Sequence, residues 1–339
     1  MAHFGHDIVV IGASAGGVSA LKKLVSLLPQ DLPASLFVVL HVPADSRSLL
    51  PQILAGAGSL QVASARNGEK IKHGKVYIAP PDHHMLLTRG EVRLTRGPKE
   101  NRHRPAIDPL FRSAAWAYGP RTVGIVLSGT LDDGTAGLRA IKSCRGTTLV
   151  QDPVEAQYPG MPENAILHAP VDYCATIEKL AAAIIELAAK AVHDPDSYEV
   201  ADHIKIETEF AFMERDMRDM KSLGSPAGIV CPTCHGSLTE MQDGEMVRYR
   251  CHTGHAFSQE SLVAEQDEDV ENALYAAVRA IDENLAVSRR IAKTYGGRFP
   301  VQKAEHEGKA ESLEKSAAVL RKLIIGRNGR NLREPAGET

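Results

Sequence analysis

The chain has 339 residues, 43% hydrophobic and 24% charged, with a formal charge of −3. That is an ordinary globular composition with room for one good-sized domain and a smaller one, and its near-neutral charge argues against a nucleic-acid-binding protein. The most apolar helical stretch, near Leu180 to Val192, is cut by Glu186 and Lys190, so no bilayer span is expected; MAHFGHD at the start shows no secretory signal, which points to a cytoplasmic setting.

The first element is the segment Asp7 to Gly17, DIVVIGASAGG. The apolar run Ile8–Ile11 reads as a short buried strand, and Gly12, Gly16 and Gly17 allow a tight turn. The run Val18–Leu28 then carries helical spacing at Leu21, Leu24, Val25 and Leu28. Ser14 sits at the turn in the pattern Gly12-x-Ser14-x-Gly16, a nucleophile elbow in which small neighbours leave a serine hydroxyl standing at a strand end. The competing reading is a phosphate-cradling turn. It lacks the Gly-x-Gly-x-x-Gly pattern, and the next strand ends in His41 where a ribose-binding carboxylate belongs.

Further strands are expected at Leu36–Leu40, Val76–Ala79, Val123–Leu127 and Thr147–Val150, with helices at Pro109–Tyr118 and Gly134–Ser143. Short apolar strands alternating with helices imply an α/β domain over residues 1–192, built on a doubly wound, mostly parallel sheet. Sites in such sheets form beyond the carboxyl ends of strands. Three strands lead there into Ser14, His41 and the pair Asp132-Asp133. A hydroxyl, an imidazole and a carboxylate are the groups that serine hydrolysis requires. Spacing leaves the assignment open: His83, His84 and His103 also follow strands or lie in loops, Asp108 is a further carboxylate, and Asp132 competes evenly with Asp133.

Residues 193–227 are charged and read as a linker with a short helix in Glu207–Met220; the alternative is a further helix of the first domain. Residues 228–258 carry a C-x2-C pair, Cys231 and Cys234, and a strand Val247–Cys251 returning to it past an Asp243-Gly244 turn. Cys144 and Cys174 stand alone, which makes the cysteine pattern one of a metal site in a reducing compartment rather than a disulfide framework. Cys231, Cys234, Cys251 and a histidine predict a four-coordinate zinc ribbon, structural and distant from the chemistry. His255, past the flexible Gly254, is favoured over His252, which adjoins Cys251. Two long helices over 259–325 follow, with stripes Leu274, Val278, Ile281, Leu285 and Leu313, Ala317, Leu320, Ile324, read as an antiparallel hairpin. Residues 326–339 read as a disordered tail.

Six motifs in order make the chain resemble the catalytic domain of the CheB chemotaxis methylesterases. They are IGASAGG (Ile11–Gly17), LHVP (Leu40–Pro43), GKVYIAPPDHHM (Gly74–Met85), NRHRPAIDPLFRSAA (Asn101–Ala115), GIVLSGTLDDGTAGL (Gly124–Leu138) and YPGMPENAI (Tyr158–Ile166). The resemblance implies a Ser14-His41-Asp133 triad hydrolysing glutamate γ-methyl esters on methyl-accepting chemotaxis receptors or another glutamate-methylated protein, with glutamine deamidation as a second activity. It also implies oxyanion donors at the backbone of Ala15 and Thr130, where the family commonly has threonine and methionine; backbone donors do not depend on the side chain. No cofactor is expected for catalysis. The family's usual N-terminal receiver is not expected, since about six residues precede the first strand. Regulation is then left to constitutive activity, to the C-terminal region or to an outside partner. The ribbon resembles a tail of receiver-less relatives. The alternative function is a non-catalytic signalling scaffold that keeps the fold and binds receptor or partner proteins.

Overall fold

The computed structural model describes residues 5–46, 48–214 and 222–331. The chain divides into two compact units, Met1–Val263 and Ala264–Thr339. The first opens with β1 (Ile8–Ala13), α1 (Gly17–Ser26), β2 (Ser35–Leu40), α2 (Leu50–Ala55) and β3 (Gln61–Ser64). There follow β4 (Glu69–Lys70), β5 (Lys75–Ile78), β6 (His84–Thr88), β7 (Glu91–Thr95) and α3 (Ile107–Tyr118). Then come β8 (Thr122–Val126), α4 (Thr135–Ser143), β9 (Thr147–Gln151), α5 (Gly160–His168), β10 (Tyr173–Ala175) and α6 (Ile177–Ala189).

The main sheet has seven parallel strands in the order β10-β9-β8-β1-β2-β5-β3. The five strands expected from apolar runs form its centre. Alternation decides which layer each side chain joins. Val9, Ile11 and Ala13 pack with α1, α2 and α6 on one face. Ile8 and Val10 pack with α3 and α4 on the other. With both faces covered, the central strands read as continuous apolar runs. The edge strands β3 and β10 are short and partly exposed, so periodicity did not reveal them. Nor did it reveal the small antiparallel sheet β4-β7-β6.

After α7 (Asp202–Phe212) comes an antiparallel four-stranded sheet of β11 (Ser225–Val230), β12 (Ser237–Asp243), β13 (Met246–Cys251) and β14 (Ala256–Ser258). Asp243 pairs with Met246, so the hairpin turns on Gly244-Glu245, one residue later than the Asp243-Gly244 turn expected; Gly244 takes the positive φ of 60°. Of the helix sought in Glu207–Met220, residues up to Phe212 belong to α7, which begins earlier, while 215–221 lie outside the described residues.

Helix α7 is tied to both its neighbours by a buried charge cluster. Glu207, 1% exposed, accepts two hydrogen bonds from Arg248 at 2.8 and 2.7 Å and one from Arg250 at 2.7 Å. Glu100 accepts Arg112 of α3 at 2.8 and 2.7 Å and Arg250 at 3.1 Å. Burial would push both carboxyls up in pKa, but the surrounding guanidinium groups outweigh it and hold both below the ordinary range.

The second unit is helical. Most of α8 (Gln259–Tyr295) and all of α9 (Pro300–Asn331) run antiparallel, linked by Arg321–Asp282 at 2.6 Å and Arg289–Glu314 at 2.8 Å. Ser288, Ala292, Ala310, Ala317 and Ile324 are buried. Of the tail expected over 326–339, residues up to Asn331 continue α9 and 332–339 lie outside the described residues. Among the described residues no helix is long and apolar enough to cross a membrane.

Candidate active site

Ser14, His41 and Asp133 follow β1, β2 and β8, three neighbours at the centre of the sheet, at the point where the chain reverses its direction of winding. Register does the positioning. Ala13 pairs with Leu40, so the next residues, Ser14 and His41, emerge side by side. The His41 N–H donates to the Ala13 carbonyl at 3.2 Å, and the Ser14 N–H to the Ser128 carbonyl beyond β8 at 2.9 Å. Gly16 turns the chain at a φ of 73° into α1. At Gly129 a Cβ would lie 2.9 Å from that of Ser14, so only glycine lets the loop before Thr130 approach the hydroxyl.

The three side chains form one hydrogen-bonded run. The Ser14 hydroxyl lies 3.1 Å from His41 Nδ1, and His41 Nε2 lies 2.8 Å from Asp133 Oδ2. Asp133 accepts throughout: Oδ2 also takes the Ile107 N–H at 2.7 Å, and Oδ1 takes Asn101 Nδ2 at 2.9 Å, Gly134 N–H at 3.0 Å and Asp108 N–H at 3.2 Å. An ionised carboxylate so surrounded requires the proton of neutral His41 to sit on Nε2, leaving the Nδ1 lone pair for the serine hydroxyl. Burial pushes Asp133 toward protonation, but His41, the Ile107 N–H and Asn101 outweigh it and hold the carboxyl below its ordinary range.

The competing candidates fall elsewhere. His84 is buried, with Nε2 on the Pro98 carbonyl at 2.9 Å and Nδ1 accepting the Ala106 N–H at 3.3 Å, a core role. His83 caps the Pro81 carbonyl at 2.9 Å. His103 lies flat on the His41 ring, centroids 3.6 Å apart and 13° from parallel. Burial, and then the nearby His41, push His103 down to about 3, so it packs as a neutral ring. Asp108 receives the N–H groups of Gly134 and Gly137 at 3.1 and 2.7 Å, capping α4; burial and the charge of Asp133 push it up. Asp132 turns away from His41 and accepts the Ser258 hydroxyl at 2.6 Å.

No sequence pattern marks Ser258, Asn101 or Ser261 as part of the site. Asn101 lies inside a quoted motif, but nothing in its pattern marks the amide; Ser258 stands at the end of the ribbon, 126 positions from Asp132. The ribbon is therefore not remote from the triad: its last strand reaches the shell around Asp133.

Within the ribbon, Cys231, Cys234, Cys251 and His255 converge, their ligand atoms all within 4.8 Å of one another. The Cys234–Cys251 sulfur separation is 3.6 Å, and His255 Nδ1 lies 3.8 and 3.5 Å from the sulfurs of Cys231 and Cys251. Tetrahedral zinc with Zn–S of about 2.3 Å has edges of about 3.8 Å, so the four residues fit a metal such as zinc. Thr253 Oγ1 sits 3.1 and 2.9 Å from the sulfurs of Cys234 and Cys251, a donor for thiolates. The His252 ring lies instead against Gly236, apart from the cluster.

Residues 9–184 match the CheB methylesterase family. A putative protein-glutamate methylesterase/protein-glutamine glutaminase of Leptospira interrogans is 36% identical over 183 residues, 54% of this chain and 95% of that one. A protein-glutamate methylesterase/protein-glutamine glutaminase of Anaeromyxobacter dehalogenans is 39% identical over 181 residues, 53% of each chain, so this chain spans about half of that relative. The crystal structure of the Thermotoga maritima CheB methylesterase catalytic domain superposes with a TM-score of 0.52 at 36% identity, covering 53% of this chain and 98% of that one. With that match running across the strands that carry Ser14, His41 and Asp133, the chain belongs to the CheB methylesterase family.

Proposed function

We infer that this protein is a serine esterase that hydrolyses γ-methyl esters of protein glutamates, with methylated chemoreceptors as its substrate class. The observation that carries the reading is the unbroken run Ser14 Oγ–His41 Nδ1, His41 Nε2–Asp133 Oδ2, at 3.1 and 2.8 Å. His41 Nδ1 takes the Ser14 proton as Oγ attacks the ester carbonyl. Asp133 stabilises the imidazolium and holds its orientation. The backbone N–H groups of Ala15 and Thr130 are the donors for the oxyanion. Collapse of the tetrahedral intermediate breaks the C–O bond, and the proton on Nδ1 passes to the departing methoxide, giving methanol and an acyl-serine. Water, deprotonated by Nδ1, then frees the glutamate. The same steps on a glutamine side chain release ammonia, in keeping with the two activities named for the relatives.

Cys231, Cys234, Cys251 and His255 would hold zinc in a closed site. Four protein ligands would tie the ribbon together and leave no open position for substrate. The C-terminal region is the place where a regulatory partner would act.

The test is methanol release from a methylated chemoreceptor cytoplasmic fragment. Wild type is expected to release methanol, and Ser14→Ala to lose at least about a thousandfold in kcat. A folded, metal-loaded wild type that turns over neither ester nor glutamine would overturn the esterase reading in favour of a scaffold that binds receptors.

A further inference from the structure

The shell behind the triad carboxylate is completed from the last strand of the ribbon and the first turn of α8. Strand β14 lies beside residues 99–101: the Asn101 N–H donates to the Ala256 carbonyl at 2.8 Å, and the Ala256 N–H to the Lys99 carbonyl at 3.2 Å. This places the end of β14 against the Asn101 side chain. Asn101 Oδ1 accepts the Ser258 N–H at 3.0 Å and the Ser261 hydroxyl at 3.2 Å. Asn101 Nδ2 donates to Asp133 Oδ1 and to Asp108 Oδ2, both at 2.9 Å. Ser258 Oγ donates to Asp132 at 2.6 Å, and the Ser258 N–H is shared with Ser261 Oγ at 2.9 Å. Asn101, Asp132, Ser258 and Ser261 are all buried.

An amide can point either way, and its neighbours decide which: the Ser258 N–H and the Ser261 hydroxyl on one side, two carboxylates on the other. With oxygen toward Ser258 N–H, a donor that cannot rotate, the NH2 group must face the two carboxylates. Turned over, the NH2 would meet the Ser258 N–H, and Oδ1 would meet Asp133 and Asp108, replacing hydrogen bonds by repulsion among buried groups. The Asn101 donor is thus aimed at Asp133 with the help of groups 157 and 160 positions further along the chain. Asp133 in turn aims His41 through the 2.8 Å bond to Nε2.

We propose that Ser261, through its hydroxyl on Asn101, and Ser258, through its N–H on Asn101 and its hydroxyl on Ser261, are positioning residues for the Ser14-His41-Asp133 triad, so that the end of the ribbon and the first turn of α8 support the catalytic site. This rests on the esterase reading above for its kinetic consequence, but not for its structural one. The ribbon's own fold transmits through the same contact: Arg250 of β13 bonds the Gly254 carbonyl at 2.9 Å and Glu100, the residue before Asn101, at 3.1 Å.

The test compares wild type, the double variant Ser258→Ala/Ser261→Ala, the single variant Ser261→Ala and the hydroxyl-retaining Ser261→Thr in the full chain. Three quantities are measured: kcat and KM for methanol release, the thermal midpoint, and the downfield proton NMR resonance of His41 Nε2–H. The double variant is expected to lose about tenfold in kcat with KM within about twofold, because a loosened support misplaces reacting groups without touching substrate. Its Nε2–H resonance moves upfield or broadens, while Ser261→Thr keeps both values near wild type. Should the double variant be unfolded at the assay temperature, Ser261→Ala decides, with a smaller kcat loss and the same direction of resonance shift. A folded variant with an unshifted resonance overturns the proposal whatever its kcat. If wild type releases no methanol, the esterase reading fails, and the resonance comparison still decides whether the serines hold the His41–Asp133 bond.

Discussion

Replacing Asp133 by asparagine changes one atom and should cost almost all activity. Every partner of the carboxylate is a donor: His41 and Ile107 at Oδ2, and Asn101, Asp108 and Gly134 at Oδ1. An amide has one oxygen, so its NH2 group must face donors on one side or the other. The less costly choice keeps oxygen toward the three donors at Oδ1 and turns NH2 toward His41 and the Ile107 N–H. His41 must then accept at Nε2 and carry its proton on Nδ1, against the Ser14 hydroxyl. The base is lost with the fold intact. Wrong-tautomer triads of this kind lose about ten-thousandfold in kcat, or about 5 kcal/mol of transition-state stabilisation. The unpaired Ile107 N–H costs about 1–3 kcal/mol of stability. The assay is methanol release from methylated receptor together with the 15N shifts of His41, which distinguish the two tautomers. A variant within tenfold of wild type, or a slow variant that still carries its proton on Nε2, would refute the reasoning.

Asp132 gives a prediction in pH. Burial raises its carboxyl from the ordinary 3.8 to about 6, despite the Ser258 hydroxyl that favours the charged form. The folded state therefore binds this proton more tightly than the unfolded chain, and stability is lost as pH rises from about 4 through about 6. Asp132→Asn keeps an acceptor for Ser258, so it should stabilise by up to ~3 kcal/mol at pH 8 and by nothing below pH 4, read from denaturant melts at the two pH values; an equal effect at both would exclude the assignment. Glu207→Ala leaves Arg248 and Arg250 buried without their main partner and should cost about 3–5 kcal/mol, seen as a fall in thermal midpoint. A loss below about 1 kcal/mol would show that water reaches the cluster. Cys251→Ser should abolish stoichiometric zinc uptake and lower the melting temperature, and a chelator should do to wild type what the substitution does; unchanged melting with the metal stripped would refute a structural metal.

How far the sequence reaches is clearest from particular residues. Ile8–Ile11, the Gly12-x-Ser14-x-Gly16 turn and the stripe behind it are local patterns, and β1, the turn and α1 follow from them. The C-x2-C pair and the strand returning to Cys251 are local in the same sense, and so are the stripes of α8 and α9. The histidines were not separable this way. His41, His83, His84 and His103 lie near strand ends or in loops, and only the pairing of Ala13 with Leu40 sets His41 beside Ser14, while His84 turns into the core and His103 stacks on His41. Asp132 and Asp133 are adjacent and chemically identical; the turn between Leu131 at a φ of 61° and Gly134 at 96° sends one to Ser258 and the other to His41. Short-range periodicity encodes an element because neighbours along the chain share its geometry. Which side chain meets which across the site depends on strand register and on contacts between distant segments, and those exist only once the chain has closed on itself. By itself the sequence determined the central strands with the helices that flank them, the layering and the chemical groups on offer. The partners of Asp133, and the two serines that stand behind Asn101, were decided by the tertiary structure alone.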